Sequence, residues 1–524
     1  MQEIDQSALE HALDLLPDRF RGPGGVAGVV HRGRVVARRA WGHADVVARL
    51  PMTPARRMPI CSISKHMTCA LLLDLFEGPG ALDALLPDLL PQLPAPHPSV
   101  ADLCHNQSGL RDYWAMTVLQ GAAPEGRFTA ADGLALIGQA KSCQFEPGTQ
   151  YSYSNGNFRL LAELICRATG HDFAHLLQER IFGPAGMPTA CLAADMAVRL
   201  DGVVGYEGND EVGFLPAQSA ITWFGDSGIA ASLDDMLAWE THIDATRDDP
   251  HGLYNRISSP VHFADGRSAA YGYGLRRYRR DSHAVTAHGG GVRGFCSYRL
   301  HVADARLSVV VIFNHEASAM RAADGLMAAA LGLPVAAPAE AGRGWDGHGW
   351  DGLWFDAENG LFLRTADAPG GVRLYYTVSP VVLPCTAPDR ASNGDVTLTR
   401  DGDSLVMERL AENQSLRARR LQPLERADAV PIAGRYQSDE TGAILVIEAR
   451  DGAASIGFEG MLGRGPVERM YPLAQDLWTV TSRRAMDAAP PGEWTLRIRR
   501  DDAGRVRGLT IGCWLARGID YTAL

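Results

Sequence analysis

Residues 60–69 read ICSISKHMTC, and the lysine among them needs explaining. Of the 50 lysines and arginines in the 524-residue chain, only Lys65 and Lys141 are lysine. Codon usage explains such a bias most simply, so the bias carries no function by itself. It does mark positions where arginine will not serve. Arginine stays protonated at any working pH, whereas a buried lysine can shed its proton and act as a base. Lys65 follows Ser62 by three residues, a spacing that puts both on one face of a helix. The stretch predicts a helix from Ser62 through KHMTCALLLDLF. Its N-terminus would favour an alkoxide through partial positive charge and free N–H groups. The pattern S-x-x-K is short, and an N-capping serine before a surface lysine remains the alternative.

Working outward, GVAGVVHRGRVVARRAWGHAD (25–45) reads as two strands about the turn HRGR. Strands return at SYRLHV (297–302) and LSVVVIFNHE (307–316), and SAMRAADGLMAAAL (318–331) closes the unit as a helix. Between them, SLDDMLAWETHI opens on Ser232 with Asp235 three residues on, close to a capping box. Strands at both ends with helices between imply an α+β domain, an antiparallel sheet flanked by helices, over residues 1–332.

Composition then shifts. LPVAAPAEAGRG begins a Pro/Ala/Gly-rich linker expected at 333–346. Beyond it lie short strand-like segments between Gly, Asp and Asn turns. GLWFDAENGLFL (352–363) aligns without gaps on GRYQSDETGAIL (434–445), an offset of 82 residues. Two tandem small antiparallel β-barrels are expected, at 347–424 and 425–524. Two independently converged hairpins are the alternative.

The net charge of −11 and the lack of any basic run interleaved with aromatics argue against a nucleic-acid surface. No apolar run approaches ~20 residues, so no membrane span is expected. The first 20 residues form a short acidic amphipathic pattern rather than a secretory signal. Nine scattered cysteines, never spaced C-x-x-C, suit a reducing cytosol, and a cytoplasmic location is expected. No zinc pattern or Walker loop occurs, and no metal or cofactor is expected. GGGVRG (289–294) fits G-x-G-x-x-G, but a strand rather than a helix follows it, so the match is discounted.

Two further elements share the chemistry of ICSISKHMTC. In YSYSNGNF (151–158), Tyr153 and Asn155 present a phenol and an amide from one loop. A phenol beside a lysine cation is expected to have a lowered pKa and to shuttle protons. In TAHGGGVRGF (286–295), His288 precedes three glycines, which let backbone approach a ligand.

In this order and at these separations, the three elements resemble the penicillin-recognising serine hydrolases. That superfamily includes serine β-lactamases and D-Ala-D-Ala carboxypeptidases, with S-x-x-K, Y-x-N and K-T-G or H-x-G signatures. FGDSGIAASLDDMLAW (224–239) resembles their accompanying Gly-rich segment, and the likeness spans about residues 5–330. MPICSISKHMTC, NQSGLRDYW (106–114), YSNGNFR and the two appended β units narrow it to the bacterial D-stereospecific aminopeptidases. The resemblance implies a Ser62 nucleophile, Lys65 and Tyr153 as proton carriers, and Ser62 and Gly291 N–H groups as oxyanion donors. Asn155 and His288 would position substrate. It further implies small peptides with an N-terminal D-residue as substrates, β-lactams as inhibitors, and a homodimer.

The motifs of the first domain offer no obvious spare acid for a substrate ammonium. TSRRAMDAAPPGEW (481–494) is too long for a tight hairpin turn, and such loops are often functional. In the resembled family a loop of the last domain reaches the catalytic site. A substrate-gating loop at about 481–493 is therefore expected, with Asp487 as the ammonium partner and Glu493 second. Two rival readings stand beside this one. The first is a β-lactamase, carboxypeptidase or esterase of the same superfamily. The second is a non-catalytic peptide- or glycan-binding protein on a dead hydrolase scaffold. Labelling by a fluorescent penicillin separates these classes.

Overall fold

The computed structural model describes residues 3–334 and 349–524. Most of the expected linker, residues 335–346, lies outside the described residues.

The N-terminal unit is built on an eight-stranded antiparallel sheet. Its centre comprises β1 (Gly24–His31), β2 (Arg34–Asp45), β3 (Leu275–Arg280), β4 (His283–Val292), β5 (Phe295–Val302) and β6 (Leu307–Phe313). They lie in the order β3-β4-β5-β6-β1-β2, with two-residue strands at Tyr271–Gly272 and Leu50–Pro51 on the edges. The first and last segments of the unit thus meet at the sheet centre, where β1 pairs with β6 from Gly25↔Phe313 to His31↔Leu307.

Both strands are apolar at nearly every position because both faces are covered. Successive side chains point to opposite faces. Ala27, Val29, Val309 and Val311 face α1 (Gln6–Asp14) and a C-terminal helix, Ala319–Leu331. Val26, Val30, Val310 and Ile312 face the core shared with the other helices. There α2 (Ser64–Leu75), α3 (Asn155–Thr169) and α4 (Leu233–Ala245) pack. Helix α4 starts with the reciprocal capping box read from Ser232 and Asp235. Among the described residues no helix is long and apolar enough to cross a membrane.

Two closed antiparallel barrels of eight strands follow. The first runs from Gly352–Asp356 to Gln414–Arg420. The second runs from Gly434–Gln437 to Ala516–Ala523, closed by pairing of Ile444–Arg450 with Ala453–Gly460. The repeat holds in the register. Gly352↔Thr365 and Trp354↔Leu363 in the first barrel correspond at the 82-residue offset to Gly434↔Ile447 and Tyr436↔Leu445 in the second. In both, the opening strand also pairs with the closing one. The inward aromatic is kept for that reason: Trp354 and Tyr436 are both buried.

The barrels pack against two loops of the first unit. Glu412 of the first barrel accepts from the Tyr151 N–H at 3.0 Å, two residues before Tyr153. Arg111 pairs with Glu440 of the second barrel at 2.8 Å with little exposure of either side chain.

Candidate active site

Ser62 sits on a strained turn. Cys61, just before it, is a non-glycine residue with φ 53°, buried in the left-handed region. A short 3-10 turn, Cys61–Ile63, then leads into α2, so the α-helix begins two residues later than the sequence suggests and Ser62 stands in the turn before it. Strand β4 passes directly against this turn. A Cβ on Gly290 would lie 2.5 Å from Cys61 Cβ and 2.8 Å from the Ile60 carbonyl oxygen. Gly290→Ala should therefore push β4 off the nucleophile turn and destabilise the protein by about 1–3 kcal/mol. Thermal melting and the Ser62 acylation rate measure it; an unchanged melting temperature and rate would show that the approach is not tight.

Lys65 is fully buried, so the surface-lysine alternative fails; Lys141 is the exposed one. Lys65 Nζ lies 2.9 Å from Ser62 Oγ, 2.8 Å from Asn155 Oδ1 and 2.7 Å from the Asp226 carbonyl oxygen. Burial pulls its pKa down to about 8, against the opposing charges of Asp226, Asp112 and Asp487. A neutral amine is thus accessible near physiological pH.

Tyr153 OH donates to Ser62 Oγ at 3.0 Å, and Lys65 Nζ stands 5.0 Å from the centre of its ring. The sequence expectation of a lowered phenol pKa is wrong. Burial raises it well above the usual range, and nearby Tyr151, Asp112 and Asp487 add to the rise. Tyr153 is a protonated phenol, and Lys65 is the group that titrates.

His288 is buried on β4, with Nε2 3.0 Å from Tyr271 OH and Nδ1 against the Gly289 carbonyl. A carbonyl only accepts, so Nδ1 carries the proton and Tyr271 donates to Nε2. Burial, then the Lys65 charge, lower its pKa to about 3, so the ring is neutral. Gly291 is exposed, with open space where a Cβ would stand. The two-residue turn Arg293-Gly294 makes Val292↔Phe295 a hydrogen-bonded pair, so Gly291↔Cys296 is not one. The Gly291 N–H therefore turns away from β5. It faces the edge that β3 leaves free beyond Ala287.

The loop between strands Leu477–Ser482 and Gly492–Arg500 reaches this site from the second barrel. Arg484 grips Glu125 at 2.6 Å and Glu207 at 3.0 Å. Arg293, at the tip of the β4–β5 hairpin, donates to the Ala485 carbonyl and, at 3.2 Å, to that of Met486. Asp487 follows. It is half-buried, its Oδ1 accepts from the Ala488 N–H at 2.7 Å, and no ion pair to it is seen among the described residues. Burial raises its pKa to about 6. Glu493, the second candidate, is not at the site. Its strand register opposite Thr481 turns it to Arg364 of the first barrel, at 2.6 Å.

Sequence reading missed two acids, both inside stretches it quoted. Asp112, in NQSGLRDYW, accepts from the Asn155 backbone N–H at 2.8 Å, and burial raises it to about 7. Asp226, in FGDSG, accepts from Tyr113 OH at 2.6 Å. Both carboxylates are committed to partners from distant segments, whereas the hydrogen bond seen for Asp487 among the described residues comes from the adjacent Ala488 N–H.

The chain matches the Beta-lactamase family over residues 9–334 and the family described as D-aminopeptidase, domain B over 346–522. It is 53% identical over 519 residues to a D-aminopeptidase of Cereibacter sphaeroides, covering 99% of each chain. A D-aminopeptidase of Brucella canis is 48% identical over 527 residues and is covered completely. Among solved structures, an octameric penicillin-binding protein homologue from Pyrococcus abyssi shares the fold. It superposes with a TM-score of 0.55 at 17% identity, over 79% of this chain and 99% of that one. D-amino acid amidase from Ochrobactrum anthropi SV3 superposes with a TM-score of 0.50 at 20% identity, over 62% and 98%. By full-length identity to two such relatives, and by a β-lactamase-type unit carrying two barrels, the chain belongs to the D-aminopeptidase family.

Proposed function

We propose that this protein is a D-stereospecific aminopeptidase that releases a small N-terminal D-residue from peptides, amides and esters through a Ser62 acyl-enzyme. Residues 1–332 carry the chemistry, and the barrels at 347–424 and 425–524 carry specificity. One observation supports the reading beyond family membership: Asp487 of the second barrel, for which no ion pair is seen among the described residues, lies close enough to act on the charge of Lys65. A desolvated carboxylate is the natural partner of a peptide's terminal ammonium.

In this mechanism neutral Lys65 takes the Ser62 proton as Oγ attacks the D-residue carbonyl. The N–H groups of Ser62 and Gly291 hold the oxyanion. Tyr153, kept protonated by burial, hands a proton to the departing amine and recovers one from Lys65. Asn155 and neutral His288 orient the substrate, and water releases the acyl group with Lys65 again as base.

A carboxypeptidase or β-lactamase reading needs a cation for the substrate carboxylate. Neutral His288, where K-T-G enzymes carry lysine, does not supply one. A panel of D- and L-aminoacyl anilides, with and without a free α-amine, tests the proposal. Turnover confined to free-amine D-compounds is expected; equal turnover of L- or N-acetylated compounds overturns it.

β-Lactams are proposed as slow acylating inhibitors. Mass spectrometry should find one adduct, absent from Ser62→Ala; an adduct persisting in that variant refutes acylation at Ser62. A cytoplasmic homodimer completes the proposal, supported by family resemblance and by nine cysteines that are all free thiols. Analytical sedimentation reads the oligomeric state.

A further inference from the structure

The contact between Lys65 and Asn155 continues outward into the second barrel. Asp112, 2% exposed, receives the Asn155 backbone N–H at 2.8 Å and stands 3.3 and 3.4 Å from Asn155 Nδ2 through its two oxygens. Its own N–H donates to the Leu515 carbonyl of the second barrel at 3.1 Å. Beside it, Arg111 Nε donates to the Arg517 carbonyl at 2.8 Å, and Nη1 to Glu440 at 2.8 Å. The short segment carrying Asp112 is thus pinned to the second barrel at three points.

The donor and acceptor types leave one arrangement. An ionised carboxylate only accepts, so Asn155 must show Asp112 its Nδ2 and show Lys65 its Oδ1. Oδ1 and the Asp226 carbonyl also only accept, so each takes one N–H of the Lys65 amine. The remaining tetrahedral position points at Ser62 Oγ. On a neutral amine, that position is the lone pair.

Building on the serine–lysine mechanism above, we propose that Asp112 is a positioning residue that fixes the Asn155 amide and so aims the Lys65 lone pair at Ser62, with the second barrel holding Asp112 in place. If the Asn155 amide turned over, its Nδ2 would face Lys65 and draw the lone pair away from the nucleophile. The charged and titratable groups around the pair belong to several elements. Asp226, Asp487 and Cys61 act on Lys65 together with Asp112, and Tyr113, Tyr153 and barrel residue Cys513 feel Asp112. Burial raises Asp112 to about 7, so it is mostly ionised by about pH 8, where Lys65 is half deprotonated.

Asp112→Asn keeps the shape and lets the Asn155 amide turn. On a D-aminoacyl anilide, kcat should fall about 100-fold, the scale of a lost general base, with little change in KM. The acid limb of kcat/KM should move to lower pH, because a negative charge that raised the Lys65 pKa is gone. In an Asn155→Ala background the same change should have almost no effect, since residues acting as one unit are non-additive. A structural role would not produce that coupling. Unchanged kcat, or equal losses in both backgrounds, overturns the proposal. Should Asp112→Asn not fold, Arg111→Met removes two of the three barrel contacts and leaves the carboxylate; a selective fall in kcat supports the proposal and wild-type kcat overturns it. Lys65→Met, run alongside, separates the two readings. Activity retained there sinks the serine–lysine mechanism itself, whereas activity lost there and kept in Asp112→Asn sinks only the positioning role.

Discussion

Replacing Lys65 by arginine should slow acylation of Ser62 by about 10²- to 10⁴-fold, the usual contribution of a general base. The substitution keeps a cation at the site and removes the amine that can lose its proton. In the wild type, burial lowers the Lys65 pKa to about 8, so at pH 7 about one molecule in ten has a neutral amine. The acid limb of kcat/KM should therefore rise through pH 8 and flatten above it, and this limb should vanish in the variant. Stability should move as well. The folded-state pKa lies below the value of about 10.4 in the unfolded chain, so the unfolded state binds more protons between these limits. Wild-type stability should thus rise as pH increases from about 8 to about 10. Arginine never deprotonates and buries its charge at every pH, so its melting temperature should fall and stay low. Lys65→Met removes the buried charge and keeps the volume. It should be inactive yet at least as stable as the wild type, the sign of a site that gives up stability for function. Near-normal turnover with arginine or methionine at position 65 would dismiss the proposed base.

What was legible in the sequence followed from local pattern. Strands β1 and β6 announce themselves because burial on both faces demands an apolar residue at nearly every position. The capping box at Ser232 is a three-residue signal, and the barrel repeat survives as a residue-for-residue register. Ser62, Lys65, Tyr153, Asn155 and His288 were readable because each sits in a short motif. Asp112 and Asp226 stood in the same motifs without being read. Their partners lie 43 and 113 residues away, and a lone acid in a loop shows no periodicity. The direction of the Tyr153 shift was misjudged because burial, which decides it, depends on walls built from distant segments. Glu493 was misplaced for a smaller reason. It is the second residue of the strand that follows the loop, and the register of that strand aims it at Arg364.

Asp487→Asn should raise KM for free-amine substrates and leave N-acetylated ones nearly untouched. Breaking one side of a desolvated ion pair costs about 2–4 kcal/mol, a loss of roughly 30- to 1,000-fold in kcat/KM. The sign with pH is fixed by the carboxyl group's pKa, which burial raises to about 6. Above that value it is ionised and, in the proposed role, receives the ammonium; below it the wild-type KM should climb, and in the asparagine variant this dependence should disappear. The proposed specificity for chain ends has a second, steric source. Arg484 clamps the loop to Glu125 and Glu207, and Arg293 clamps its Ala485 and Met486 carbonyls, so the segment ahead of Asp487 is held against the catalytic unit. In the proposed function a wedge fixed in this way excludes residues upstream of the scissile one. Deleting 483–492 should therefore admit N-blocked and longer peptides, and bulkier β-lactams, while the Ser62–Lys65 pair still acylates. The two variants read different things: the point mutant loses affinity for charge, and the deletion loses exclusion of length. If both keep wild-type selectivity on the anilide panel, the loop does not select the substrate, and the ammonium must be met by a group other than Asp487.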